Sequence, residues 1–384
     1  MILDVLLYLA VFVLTAALIF LFQKTSNSIH INLGLMRKQR VLKTVIYVTF
    51  GCLSIFPIIA MFGLRYGIGT DYFAYEQIFD TLHTSSFAEY WTLHNQGIGD
   101  YYIEPLYYAL NKLFPSYRLL QWGLGILIFS LFFIGVKEYS KRLSFPFALF
   151  IFLATQFIYS MNGVRFVVAL GFLLIAYNAL AQNKTIKFII IILVGALFHK
   201  AILICLAMIF LKKYKFKGVN SARNLILFVA IISLPFVGGV FFRLAGNIPF
   251  FSRYFETSLY AASSNMSFSF SWIFHVLPVF LPLLLVARKE IFDAEDTKTF
   301  FRICIMEIPF RMIGLYNTFY TRFARCSQIA QFVFIPLVVR KIENKKKRRV
   351  VYAYYIIWYI FYFAYYAIVN DNGDSLPYVW IFTN

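Results

Sequence analysis

Charge is scarce in this 384-residue chain: Asp, Glu, Lys and Arg make up 14% of it, and only 17 residues are acidic. A soluble domain carries about 25% charged residues, so that class is excluded. Cysteine is scarcer still. Cys52, Cys205, Cys304 and Cys326 stand singly in or beside apolar segments, without CxxC spacing, so neither a disulfide framework nor a zinc site is implied. His30, His83, His94 and His275 show no metal-ligand spacing either. No GxSxG, P-loop, DxD-like pair or HExxH is present, which leaves nucleotide-driven transport and metalloprotease chemistry without support. Tandem repeats and low-complexity linkers are missing, and 1–384 reads as a single integral membrane domain.

What is present is apolar. Hydrophobic residues make up 61%, with 46 Phe and 27 Tyr, and the mean hydropathy is +0.73. Apolar runs of about membrane-spanning length recur, so the expected fold is all-α, a polytopic transmembrane helical bundle. The net charge of +19 does not indicate nucleic acid, because Lys and Arg fall in short loops between apolar runs, as cytoplasmic loops require. Ile2–Phe22 lacks a basic n-region, carries Asp4 and is too long for a signal h-region, so it reads as a retained span.

Charge also sets the expected topology. The segment 23–43 holds five bases and no acid, and is expected inside, with the N-terminus outside. The segment 65–104 holds six acids against Arg65 alone and reads as an acidic external loop. Pro105–Phe114 is apolar but too short to span. Spans are expected near 44–64, 119–136, 145–159, 164–181, 224–242, 272–287, 303–320, 326–339 and 350–369. Lys187–Leu211 is one span long yet has basic flanks at both ends. A hairpin of two half-length arms turning at His199-Lys200, each roughly 17 Å at helical rise, keeps both flanks inside. The expectation is about ten full spans plus this 187–211 hairpin, both termini outside.

Ten of the 36 basic residues escape the orientation rule: Arg65, Lys112, Arg118, Arg165, Lys200, Arg243, Arg253, Arg311, Arg322 and Arg325. In LRYGIGTDYFAY (64–75), Arg65 with Asp71 could bind phosphate and orient a hydroxyl, or Arg65 could snorkel beside interfacial Tyr72 and Tyr75. Arg165, after Asn162 and Gly163, opens a span and could equally be an anchor. His199 is a titratable group at depth if the hairpin forms, and a buried polar contact if it does not. Glu307 and Arg311, at i,i+4, read more readily as a packed ion pair than as a catalytic one. Arg322 and Arg325, at i,i+3, put two cations on one helical face, which an anionic lipid or a ligand phosphate would satisfy.

These motifs, in order, form a pattern. Arg65 with GTDYFAYEQIF, then EPLYYALNKLF, SMNGVRFVVALGFLLIAYNAL, ALFHKAILICL, Arg322–Arg325 and the closing LPYVWIF resemble the EpsG-like family of exopolysaccharide and O-antigen polymerases, often called Wzy-type. The segments 212–302 and 340–369 match only as hydrophobic pattern, and Phe166 stands where the family usually has a polar residue. The resemblance implies a GT-C-like membrane glycosyltransferase, metal-independent and without cofactor, in the bacterial cytoplasmic (inner) membrane. Its substrate would be an undecaprenyl-diphosphate-linked oligosaccharide, with membrane lipids around it and a chain-length regulator and flippase as pathway partners. It implies catalytic roles for Asp71, His199 and Arg165, and substrate contacts for Arg65, Tyr72, Tyr75, Asn162, Arg322 and Arg325. An O-antigen ligase-type transferase and a lipid-linked oligosaccharide flippase are the alternatives.

Overall fold

The computed structural model describes residues 2–29, 37–213, 271–314, 321–369 and 374–383. Within them the regular structure is helical, with one isolated antiparallel bridge between Arg65 and Trp380. In chain order come α1 (Ile2–Ile29), α2 (Arg37–Gly63), α3 (Tyr72–Thr84), α4 (Phe87–Gln96), α5 (Pro105–Leu113), α6 (Tyr117–Lys137), α7 (Phe145–Asn162), α8 (Val164–Ala181) and α9 (Thr185–Ala196). A 3₁₀ stretch (Lys200–Ala207) leads into α10 (Met208–Lys213). After residue 270 come α11 (Ser271–Val286), α12 (Glu295–Ile305), α13 (Glu307–Gly314), α14 (Thr321–Gln328), α15 (Gln331–Lys341) and α16 (Lys345–Ala364), which continues as a π-helical turn, Tyr365–Val369.

Among the described residues five helices are long and apolar enough to cross a membrane: α1, α6, α7, α8 and α16 with its π turn. Shorter apolar helices cover Thr49–Gly63, Thr185–Ala196, Lys200–Leu211 and His275–Val286. The chain is therefore a multi-pass membrane protein, with fewer full-length spans described than the ten expected. The expected span 224–242, with Arg243 and Arg253, lies outside the described residues. Two other expected spans are broken. Segment 303–320 begins earlier, at Glu295, and is interrupted at Met306, where Pro309 lacks an N–H and its ring crowds the carbonyl of Ile305. Segment 326–339 is divided between α14 and α15. Within the acidic stretch 65–104 lie α3, α4 and a 3₁₀ turn at Gly99–Tyr101.

Burial separates centre from rim. In α7 and α8, 83% and 78% of the span is covered by protein, against 33% for α1 and for α16. The uncovered side is apolar: Leu3, Ile186 and Ile357 are each at least 67% exposed, as lipid-facing residues would be. At the centre, glycines let α6 and α8 approach closely. A Cβ at Gly135 would lie 2.7 Å from Leu174, and one at Gly171 would lie 2.7 Å from Leu131. Asn178 Nδ2 then reaches the Gly135 carbonyl across the interface at 2.6 Å.

The segment 187–211 is not one straight helix. Its α-helical arm ends at Ala196, the chain turns at Leu197–His199, and the second arm starts as 3₁₀ helix. Ile202 folds back onto Gly195, where an added Cβ would sit 2.7 Å from Ile202 Cδ1. Eight residues of 3₁₀ helix advance about 16 Å, against about 12 Å as α-helix, so the short arm reaches further.

The C-terminal segment is pinned over the end of α2. Tyr66 N–H donates to Val379 O at 3.1 Å, and Ile381 N–H to Leu64 O at 3.0 Å. The Tyr378 hydroxyl donates to Met61 O at 2.5 Å, and the Tyr8 hydroxyl to Ser375 O at 3.0 Å.

The α6–α8 contact gives a direct test. Gly171→Val should lower stability by about 1–3 kcal/mol through overpacking against Leu131. Thermal melting in detergent checks it, with the lipid-facing Leu193→Ile expected to melt as wild type does.

Candidate functional site

Several helices begin around one cluster of polar side chains. Asp71 occupies the N-cap position of α3 but makes no capping bond with its side chain, so the carboxylate is not consumed by the helix. The loop that carries it rests on the end of α7. Gly69, at φ +109°, leaves room for Asn162: a Cβ there would lie 2.8 Å from Asn162 Oδ1 and 2.9 Å from Met161 O. The neighbouring Thr70 hydroxyl donates to Asn162 Oδ1 at 3.3 Å. Asp71 reaches solvent, yet the protein on its inner side removes enough water to push its carboxyl above the ordinary value. The fields of Arg322 and Arg165 oppose that rise without cancelling it.

Arg165 is the second residue of α8 and is mostly covered, its side chain 20% exposed. Its Nη1 forms an ion pair with Glu104 Oε2, and its Nε donates to the Tyr75 hydroxyl at 3.5 Å. The guanidinium also lies 5.9 Å from the Tyr75 ring centre and 5.8 Å from that of Tyr107. Glu104 caps α5 by position, and its second oxygen accepts the Lys200 backbone N–H at 3.3 Å. Leu106 N–H donates to Leu197 O at 3.0 Å alongside. The turn at 197–199 is thereby fastened to the start of α5.

His199 caps the 3₁₀ stretch, its Nδ1 accepting the Ala201 N–H at 3.2 Å. With Nδ1 an acceptor, the neutral ring carries its proton on Nε2, a tautomer assigned from this bond. Phe166 meets the imidazole edge-on, ring centres 5.1 Å apart. The cations whose fields reach the ring are Arg165, Arg322 and Lys200.

Arg322 and Arg325 both lie in α14. The Arg322 field reaches Asp71, His199 and Tyr159. Arg325 stacks on the Tyr159 ring, 3.7 Å from its centre, and its Nη1 donates to Gln156 Oε1 at 3.4 Å. Arg325, Tyr159 and Asn162 line a small, partly open recess, with Tyr362, Phe363 and Tyr366 on the opposite helix.

The structure thus groups Asp71, Tyr75, Asn162, Arg165, His199, Arg322 and Arg325. It does not place Arg65 or Tyr72 among them. Arg65 is 1% exposed, donates from Nη1 to Phe62 O at 2.8 Å and lies over the Phe62 ring at 4.0 Å. Tyr72 is buried against Tyr66, Phe73 and Tyr117, and its carbonyl accepts the Tyr117 hydroxyl at 3.0 Å. Both support the base of the Asp71 loop. Glu307 is fully buried and is held by Arg311 Nε at 2.7 Å and Gln331 Nε2 at 2.6 Å. It is a satisfied internal pair. Among the described residues no three His, Cys, Asp or Glu side chains are grouped to hold a metal ion.

Sequence reasoning missed Glu104, which it counted only among six acids of an external loop. The available signal was its position: an acid directly before Pro105 and an apolar helix is a helix-start pattern. The family comparison covers this whole arrangement, matching residues 48–380. The chain belongs to the EpsG family. That family is linked to exopolysaccharide biosynthesis. No curated protein and no solved structure matches the chain. The EpsG match takes in every residue of the cluster and leaves out α1.

The Glu104 contacts can be tested apart from activity. Glu104→Gln removes the charge partner of a mostly buried guanidinium and should cost about 1–3 kcal/mol, discounted for partial exposure. A lower melting midpoint in detergent is expected, and Glu89→Gln, on an exposed helix face, should not shift it.

Proposed function

We propose that this EpsG-family chain is a membrane glycosyltransferase that polymerises lipid-linked glycan repeat units at the outer face of the bacterial cytoplasmic membrane, with both of its termini outside. The donor glycan is carried on undecaprenyl diphosphate, which is also the leaving group. The observation that carries this reading is the meeting of Arg165, Arg322 and Asp71 in one cluster within a family linked to exopolysaccharide biosynthesis.

The chemistry follows from those groups. A hydroxyl oxygen of the acceptor sugar attacks the anomeric carbon of the donor. The bond from that carbon to the diphosphate breaks, and the electron pair leaves with the carrier. Negative charge grows on the diphosphate oxygens, where Arg165 and Arg322 stabilise it without needing to reorganise. The hydroxyl proton passes to ionised Asp71, whose carboxyl, raised by desolvation, makes it a better base than an ordinary aspartate. His199 presents Nε2–H, so it serves as a donor to the departing anion and not as the base. Direct displacement inverts the anomeric configuration. Glu104 holds Arg165 in place and, with both oxygens engaged, takes no proton.

Deletion and complementation test the reading on surface polysaccharide resolved by gel. Wild type should restore a ladder, while Arg165→Ala should leave single repeat units, with turnover down about 10²–10³-fold for one lost charge-stabilising group. Glycan stalled wholly on its carrier would point to a ligase, and glycan held on the cytoplasmic face to a flippase. A full ladder from Arg165→Ala would remove Arg165 from the site. If Asp71 is the base, kcat/KM rises with pH through a value above the usual aspartate range, because only the ionised form accepts the proton. Asp71→Asn should abolish that acidic limb.

A further inference from the structure

The acidic stretch carries a row of aromatic rings that the chemistry above does not use. Phe87, Trp91 and His94 stand at i, i+4 and i+7 of α4 and share one face of it. Phe87 and Trp91 have ring centres 6.1 Å apart at 22°, and Trp91 and His94 6.1 Å apart at 23°. His94 and Tyr102 follow at 5.7 Å and 23°. Near-parallel rings thus run from the start of α4 to Tyr102. Carbon atoms in contact sit about 3.5–4.0 Å apart, so rings with centres this far apart leave part of each face uncovered. Phe87 is 63% exposed, Trp91 47% and Tyr102 40%.

The row is held from below and at one end. Tyr90 turns inward, stacks on Tyr108 with ring centres 3.9 Å apart and donates its hydroxyl to Ile103 O at 2.7 Å. His94 Nδ1 lies 3.1 Å from Tyr101 O; a carbonyl only accepts, so Nδ1 donates and the neutral ring keeps Nε2 as an acceptor. The Lys200 ammonium bonds the Tyr102 hydroxyl and lies 4.1 Å from that ring's centre. The Lys200 backbone N–H is fastened to Glu104, which holds Arg165, so the row ends beside the cluster.

Charge and polarity select the occupant. Between residues 87 and 104 the charged residues are Glu89, Asp100 and Glu104, with no Lys or Arg. Those acids repel a diphosphate or an anionic lipid headgroup, and a helix that lies on a membrane surface carries Lys and Arg on its polar face, which α4 does not. Thr92, Asn95 and Gln96 of the same helix are exposed and neutral. Aromatic faces edged by amide and hydroxyl groups match a pyranose: its C–H bonds meet the negative ring face and its hydroxyls take the polar edge.

We propose that the row Phe87–Trp91–His94–Tyr102 is a binding track for pyranose rings of the growing glycan and keeps the chain beside the cluster between additions. The inference rests on the polymerase reading and adds where the polymer lies.

The test uses the full chain in lipid nanodiscs, with single repeat units and longer fragments cut from the cell's own polymer as probes. By saturation-transfer NMR the longer fragments should bind about tenfold more tightly than single repeats, the difference a few extra stacked rings supply. Phe87→Ala with Trp91→Ala, at two exposed rings, should remove that advantage. In complemented cells the same double variant should shorten the ladder while single additions continue. Trp91→Phe keeps an aromatic face and should keep both properties, and thermal melting confirms that each variant is folded. Equal binding of long and short fragments would overturn the proposal. So would quenching of the Trp91 emission, read as wild type minus Trp91→Phe, by lipids with brominated chains, which would place the row in the bilayer. A full-length ladder from the double variant sinks the track and leaves the polymerase standing. A ladder that does not depend on the chain sinks the polymerase.

Discussion

A guanidinium at the start of a membrane-spanning helix is expensive unless a counter-charge meets it. Arg165 is in that position, and Glu104 is the group that makes it tolerable. The same carboxylate accepts the Lys200 backbone N–H, so one side chain joins the start of α5, the start of α8 and the turn that follows α9. Tyr75 closes the arrangement from α3. The acidic stretch consequently folds down onto the helices around it, and its helices α3 and α5 become part of the site instead of a cover over it.

The described residues hold two polar systems of different placement. Around Glu307, Arg311, Gln331 and Tyr359 each member finds a partner, the Tyr359 hydroxyl donating to Gln331 Oε1 at 3.2 Å. A network of that kind fixes helix register and offers nothing to a ligand. Around Asp71, Arg165, Arg322 and Arg325, side chains converge from separate helices, Arg165 paired with Glu104 and the field of Arg322 reaching Asp71. Gln156 ties the second system to the packed interior, donating to Gln328 Oε1 at 2.8 Å while accepting from Arg325. The position of Arg325 on the wall of the recess is thus set by the packed interior behind it.

Local sequence carried much of the architecture. Hydropathy marks the membrane class, and the apolar run from Val164 to Ala181 coincides with α8 because a spanning helix forms all its backbone hydrogen bonds within itself. The ordered motifs marked the family for the same reason, since each is a short local pattern. Proline explains where local reading of apolar length went astray: around Pro309 the run continues while the helix stops.

Partnership was decided only by the tertiary structure. Arg65 and Arg165 look alike in sequence, each a lone arginine at a span boundary. Packing sends the first to be sealed against Phe62 beneath the C-terminal segment, and the second to Glu104, 61 residues away. Glu104 itself was one acid among six until α5 brought it to the turn at Lys200, 96 residues on. Composition and spacing determine that a chain enters the membrane and where its helices run. Which buried charge meets which partner depends on how distant helices pack, because an ion pair acts over a few ångströms and sequence separation carries no such distance.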